Sequence, residues 1–406
     1  MSDRPRPSTL AVHAGIDGAP LAPPGMTTPI FQSSTFELSR SAYDDIESTG
    51  GANIVWYSRL GNPTLDAAAA AVAALECAEG ALLFSSGMAA IATTLEALVP
   101  AGGRIVAASA LYGDTYAVLD DHASERGCDV EFVALHDLGA WARALAGGAD
   151  VAYVESLSNP MLRVADLPAI ASRTHSAGAQ LVVDSTFATP INLRPLEHGG
   201  DVVLHSATKY LNGHSDLIAG AVAGRKSLLE SVRRRAIRIG GCLDPHAAFL
   251  LARGLRTLAL RVERHNANGL AVAQRLEPHS EIEAVHYPLL ASHPDSALAG
   301  RLLDGGSGIV TIRVRGGDER ALRLLDELRL IRQATSLGGL ESLASAPFNT
   351  SHVALSASDR ERLGILPGTI RLSVGLEDAE DLIADLEHAL EASPRGRPGN
   401  AEPAHA

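Results

Sequence analysis

QLVVDSTFATPINLRPLEHGGDVVLHSATKYLNGHSD, residues 180–216, decides how the chain is read. Two short runs in it, Gln180–Asp184 and Val202–His205, are apolar almost throughout. A strand with one wet face alternates apolar and polar residues. A strand covered by helices on both faces does not, so these two read as buried parallel strands. Polar groups follow each run: Ser185 and Thr186 after Asp184, then Ser206, Thr208 and Lys209 after His205. In α/β sheets ligands bind beyond the carboxyl ends of the strands. The stretch therefore predicts an α/β layer carrying an acid and an amine at its ligand-binding edge.

The same pattern extends outward. Further strands are expected at Ala81–Phe84, Arg104–Ala107, Val130–Leu135, Val151–Glu155 and Ile218–Ala223, with helices between them. One helix runs from about Thr64 to Cys77, with Asn62 as N-cap and Pro63 at its first position. The alternation predicts a large domain, residues 61–256, around a mostly parallel sheet. Residues 1–60 read as an irregular arm, broken by Pro20, Pro23, Pro24 and Pro29. A long helical pattern opens at Pro245 and continues to about Leu276. Beyond it come strands at Glu281–His286, Gly308–Val314 and Ile370–Val374, and helices at Glu319–Leu328 and Asp378–Leu390. These make a smaller α/β domain over residues 257–392. Residues 393–406, rich in Pro, Gly and Ala, are expected to be a disordered tail.

Composition narrows the function. The 406 residues are 46% hydrophobic and 20% charged, an ordinary globular balance. The net charge of −13 repels phosphate, which argues against nucleic-acid and anionic-membrane partners. Cys77, Cys128 and Cys242 lie far apart and form no CxxC pair, so neither a disulfide framework nor a zinc site is expected. The longest uncharged apolar stretch, Gly80 to Leu95, is too short to span a bilayer, and MSDRPRPSTL has no apolar signal core. A cytoplasmic protein is the expectation.

Of 34 basic residues only Lys209 and Lys226 are lysine. Arginine can replace lysine where charge alone matters, but not where a deprotonatable primary amine is needed. Lys209, flanked by Ser206 and Thr208, is either a turn residue or an amine presented to a carbonyl cofactor. Asp184 either caps the segment after its strand or pairs with a protonated ring nitrogen. Ser86-Gly87-Met88 is either a plain strand–helix turn or a phosphate cradle at a helix N-terminus. Asn159 precedes Pro160 and is either a turn residue or an amide donor to a ligand hydroxyl. Tyr112 is either a core aromatic or a ring that stacks on a flat cofactor and moves a proton. Tyr57 and Arg59 sit in the arm, as surface residues or as phosphate ligands for a neighbouring subunit. Arg371 lies in the apolar run TIRLSVG and needs a carboxylate, supplied by a substrate or by an internal acid.

Taken together, HSATKYLNGHSD, DSTFATP, SSGMAAI, LYGDTY, YSRLGNPT, SLGGLES and TIRLSVGLED closely resemble the signatures of the Cys/Met-metabolism family, the transsulfuration enzymes dependent on pyridoxal phosphate. The resemblance runs from about Leu10 to Leu390. It implies the fold type I, aspartate-aminotransferase-like architecture and a homotetramer built from active dimers. It implies that Lys209 holds the cofactor as a Schiff base, that Asp184 faces the pyridinium nitrogen, and that Asn159 lies near the ring hydroxyl. Tyr112 would stack on the ring and serve as acid or base at the departing group. Ser86, Gly87, Met88, Ser206 and Thr208 would bind the phosphate, with Tyr57 and Arg59 from a partner subunit. Arg371 and the backbone at Ser336 would take the substrate α-carboxylate.

Two reaction classes fit this resemblance. One is γ-elimination of the cystathionine γ-lyase type, giving a 2-oxo acid, ammonia and a thiol. The other is γ-replacement, joining an activated homoserine ester to a thiol. A cofactor-binding regulator is the remaining reading, disfavoured because no basic DNA-binding segment is evident. Asp114 departs from the family, whose members usually carry Cys or Gly there. It either caps the following helix or faces the pocket, where it would favour a cationic distal group and disfavour an anionic ester. Glu341 resembles the glutamate of cystathionine-handling members and points the same way. Thr350-Ser351-His352, Leu60 and Leu65 also depart from the common pattern and affect the pocket rim or subunit contacts.

Overall fold

The computed structural model describes residues 5–15, 25–49, 51, 54–353 and 355–395. Pro20, Pro23, Pro24 and most of the expected tail lie outside the described residues. The first sheet is built from β1 (Gly80–Phe84), β2 (Arg104–Ala108), β3 (Asp129–Val133), β4 (Val151–Glu155), β5 (Gln180–Asp184), β6 (Val202–His205) and β7 (Gly220–Gly224). Their spatial order is β1-β7-β6-β5-β4-β2-β3. β3, β2, β4, β5 and β6 pair in parallel, and β7 is antiparallel to both β6 and β1. Every residue of β4, β6 and β7 is buried, which explains their unbroken apolar character. The edge strand β3 alternates instead.

The second sheet comprises β8 (Ile282–His286), β9 (Ile309–Val314), β10 (Arg332–Gln333), β11 (Leu343–Ser345) and β12 (Thr369–Ser373), in the order β10-β11-β12-β9-β8. Each sheet has its own apolar core. The helix Leu258–Leu276 spans both: Leu258 and Val262 pack into the first core, Val272, Ala273 and Leu276 into the second.

Three local expectations are corrected. The helical pattern from Pro245 is two helices, Pro245–Leu255 and Leu258–Leu276. The Gly254 carbonyl is claimed by the Arg261 guanidinium at 2.7 Å and by the Thr257 hydroxyl at 3.2 Å, which draws it from the helical ladder. The strand expected from Ile218 begins at Gly220, because Ala219 exchanges both backbone groups with the Thr208 hydroxyl. The arm is not irregular throughout: Pro7–His13 and Arg40–Thr49 are helical.

The helix Pro63–Glu76 ties the arm to the sheet. Asn62 caps it, accepting from the Thr64 N–H at 2.9 Å, and Pro63 takes the position where a missing N–H costs nothing. The Asn62 amide also donates to the Phe31 carbonyl at 2.8 Å and the Ser58 hydroxyl at 2.9 Å. Asn62 is fully buried, so truncation strands these partners. Asn62→Ala should lower the unfolding free energy by about 1–2 kcal/mol in urea titration, and Asn62→Asp should retain most of the cap.

Candidate active site

Parallel pairing brings the carboxyl ends of β2, β4, β5 and β6 to one edge of the sheet, and β1, antiparallel to β7 as β6 is, ends at the same edge. The loops leaving that edge meet residues of the second unit around a cavity of about 630 Å³. This is the size of a cofactor or small-molecule site. Ser86, Gly87, Met88, Tyr112, Asn159, Asp184, Ser206, Thr208, Lys209, Ser336 and Arg371 all line it. Residues spread over almost three hundred positions are thus brought to one place.

Lys209 follows β6 and points its amine at the Ser336 hydroxyl, 2.8 Å away. Burial, aided by the Arg371 charge, lowers the amine to about 8. Roughly a tenth of it is then neutral at pH 7, against about one part in 2,500 for a free lysine. Ser336 has a positive φ of 90°, an uncommon conformation for a residue with a side chain. That conformation lets one residue offer two groups: its hydroxyl meets Lys209 while its carbonyl accepts from Arg371 at 3.0 Å. Gly338 allows the loop to close, since a Cβ there would lie 2.7 Å from the Tyr210 nitrogen.

Asp184 accepts from the Thr186 N–H at 2.9 Å. Its register partner on β4 is Glu155, so two carboxyl groups sit side by side. Burial raises both, and the Asp184 charge helps to push Glu155 up to about 8. The pair thus resists carrying two charges, and the groups that favour ionisation at Asp184 are Thr186 and His205. Glu155 also accepts from the backbone of Tyr112 at 2.6 Å and of Asn159 at 3.3 Å, fixing both loops. The sequence reading missed Glu155. The signal was present: an acid closing an otherwise apolar strand, as Asp184 does.

Arg371, 5% exposed on β12, reaches across from the second unit. It donates to Asn159 Oδ1 at 3.1 Å and to the Ser336 carbonyl, and its Nε lacks a partner. Among the described residues no carboxylate pairs with it. The internal-acid reading of Arg371 is therefore not what the structure shows. Asn159 spends its oxygen on Arg371, which leaves its NH₂ free to donate.

The helix Gly87–Leu98 opens at the cavity with Ser86 as N-cap, its hydroxyl accepting from Ala89. The first-turn N–H groups of Gly87 and Met88 have no intrahelical acceptors. A Cβ at Gly87 would lie 2.9 Å from the Ser206 Cβ, so glycine lets the helix start pack against β6. Thr208 lines the cavity with its hydroxyl engaged by Ala219. Tyr112 is 37% exposed and its hydroxyl donates to Asp114 Oδ2 at 2.7 Å. Burial and Asp114 push the phenol up to about 12. Asp114 neither lines the cavity nor caps the helix Gly113–Arg126 through its side chain. Glu341 is exposed beside the Ser336 loop and does not line the cavity. Tyr57 and Arg59 are likewise outside it, with the Arg59 guanidinium 5.3 Å from the Tyr57 ring centre and donating to the Ile237 carbonyl.

A partly neutral buried amine, a buried carboxyl group and a helix start rich in unspent N–H groups suit an aldehyde, a pyridinium and a phosphate in one ligand. They define a pyridoxal-phosphate enzyme of fold type I. The comparisons agree. Residues 8–391 match the model of the Cys/Met metabolism PLP-dependent enzyme family, and the chain belongs to that family. It is 39% identical over 392 residues to L-methionine gamma-lyase from Pseudomonas putida, covering 95% of this chain and 97% of that one. A structure of cystathionine gamma-synthase from Xanthomonas oryzae pv. oryzae, in complex with cystathionine, superposes with a TM-score of 0.90 at 37% identity, over 96% and 98% of the chains. A cystathionine gamma-lyase from Micromonospora echinospora superposes with a TM-score of 0.88 at 37% identity, over 95% and 99%. Pyridoxal phosphate is the cofactor, and the protein is an enzyme of this family.

The lowered lysine has a kinetic signature. Cofactor-free protein mixed with pyridoxal phosphate should turn yellow at a rate that rises with pH and levels above about 8, followed by stopped-flow absorbance. Lys209→Ala should not form the yellow species. Arg371→Leu removes a charge that favours the neutral amine, so its profile should move to higher pH.

Proposed function

We propose that this enzyme catalyses γ-elimination on an amino acid of the cystathionine type, releasing a 2-oxo acid, ammonia and a thiol. The observation that carries this reading is the charge arrangement in the cavity and behind its wall. Arg371 is a buried cation without a counter-ion, which suits an α-carboxylate. Asp114 places a negative charge behind Tyr112, which suits a second, cationic end on the substrate.

When bound, pyridoxal phosphate supplies an electron sink that stabilises charge at the substrate Cα. Asp184 would hold its ring nitrogen, Gly87, Met88 and Ser206 its phosphate, and the Asn159 NH₂ its ring hydroxyl. Ser86 would shape the phosphate cradle as N-cap, and Thr208 would close it from the β6 side. The Lys209 amine, once displaced by substrate, would take the Cα proton at Nζ. The Ser336 hydroxyl holds that amine near its place. Tyr112 would move the proton at the departing group through Oη. Arg371 and the Ser336 carbonyl loop orient the substrate backbone.

The second reading is γ-replacement on an activated homoserine ester. It is favoured by the close superposition on a cystathionine gamma-synthase. We also propose a homotetramer of active dimers, cytoplasmic, in which Tyr57 and Arg59 serve the phosphate of a partner subunit. Their exclusion from the cavity of their own chain supports this, and no helix among the described residues is long and apolar enough to cross a membrane.

The deciding assay offers purified holoenzyme cystathionine, methionine, O-acetylhomoserine and O-succinylhomoserine, each with and without cysteine or sulfide, and measures 2-oxobutanoate. We expect 2-oxobutanoate from cystathionine with no added thiol. Thioether formation from an ester, dependent on added thiol, would replace the elimination reading with the replacement one.

A further inference from the structure

Asp114 occupies the first turn of the helix Gly113–Arg126, where an acid is ordinarily explained by the helix dipole or by capping. The local geometry shows something else. The N-cap residue is Tyr112, and no side-chain cap bond is made at this helix start. The Asp114 carboxylate instead accepts the Tyr112 hydroxyl at 2.7 Å. Among the described residues no basic side chain pairs with Asp114, so this bond is its visible commitment.

The bond has a direction. A phenol has one hydrogen and two lone pairs, whereas an ionised carboxylate only accepts. The hydrogen must therefore lie between Tyr112 and Asp114, and the phenolic oxygen is left with lone pairs for any other neighbour. The Tyr112 backbone is separately pinned, its N–H donating to Glu155 at 2.6 Å. Backbone and hydroxyl are thus held from opposite ends, by β4 and by the helix start.

We propose that Asp114 is a positioning residue that acts through Tyr112: by taking the phenolic hydrogen it turns the phenolic oxygen toward the cavity as a hydrogen-bond acceptor. The substrate class follows. A distal ammonium, which donates, is favoured at Tyr112. A distal ester or carboxylate, which only accepts, is disfavoured unless the phenol abandons Asp114. This inference rests on the proposed role of Tyr112 at the departing group and extends it to the distal end that the departing group carries, and it assigns Asp114 a place outside the cavity wall.

The groups facing Tyr112 are few. Asp114 on its own helix holds the proton on, Arg371 on β12 opposes it, and Glu155 on β4 meets its backbone. Lys209 and Asp184 line the same cavity. Asp114 is the one among them that bonds the hydroxyl, so its removal must lower the pH at which Tyr112 ionises.

The test uses holoenzyme and two readouts. The first is the alkaline tyrosinate absorbance difference between each variant and the same variant carrying Tyr112→Phe, which isolates this phenol. Asp114→Gly should bring the transition down by about one pH unit or more, and Asp114→Asn, which keeps size and an acceptor oxygen, by less. The second is the ratio of kcat/KM for cystathionine to that for O-succinylhomoserine, expected to fall about tenfold in Asp114→Gly and to be partly restored in Asp114→Asn. A helix-dipole role would change thermal stability and leave both readouts where they are. An unshifted transition or an unchanged ratio overturns the proposal. The titration reads Tyr112 whichever reaction the enzyme performs, so its failure is distinct from a failure of the elimination reading.

Discussion

One guanidinium without a counter-charge organises this site. Arg371 comes from β12 of the second sheet, yet its bonds are to Asn159, beyond β4 of the first, and to the Ser336 carbonyl. A buried cation is costly unless satisfied, and neutral oxygens satisfy it only in part. Two consequences follow from that incomplete satisfaction. The two units are drawn together across the cavity, and a vacant demand for an anion is left inside it. The same charge favours the neutral form of Lys209. Substrate orientation and amine reactivity thus share one cause.

The carboxyl groups are arranged by the opposite logic. Register places Glu155 beside Asp184, and burial works against charge on both. Glu155 spends its oxygens on the backbone N–H groups of Tyr112 and Asn159, whereas Asp184 lines the cavity. Structural and chemical duties are divided between neighbours on adjacent strands. A change at Glu155 would therefore alter loop positions and the state of Asp184 together.

The elements that could be read from sequence are those whose cause is local. β4, β5 and β6 are apolar runs closed by polar residues, and Asn62-Pro63 marks a helix start by chemistry within three residues. The cofactor-facing residues were legible for a related reason: parallel strands send their carboxyl ends to one edge, so polar residues just after strands are site candidates by topology. Features with distant causes were not legible. The break at Arg256-Thr257 depends on Arg261 capturing a carbonyl. The start of β7 depends on the Thr208 hydroxyl, which holds Ala219 eleven residues later, just before the strand. β10 and β11 are two and three residues long, too short to carry a period. Asp114 was placed near the site by motif, but its partner depends on where one hydrogen points, which no pattern of residue types encodes.

The helix Leu258–Leu276 carries a thermodynamic consequence. Its first turns belong to one core and its last turns to the other, with Arg261 and His265 bonded to backbone carbonyls along the way. A helix melts cooperatively, so its two ends are not independent. Loosening the second core frays the beam on which the first is seated, and the reverse holds as well. The two units are therefore coupled on heating through one shared element, although each has its own sheet and core.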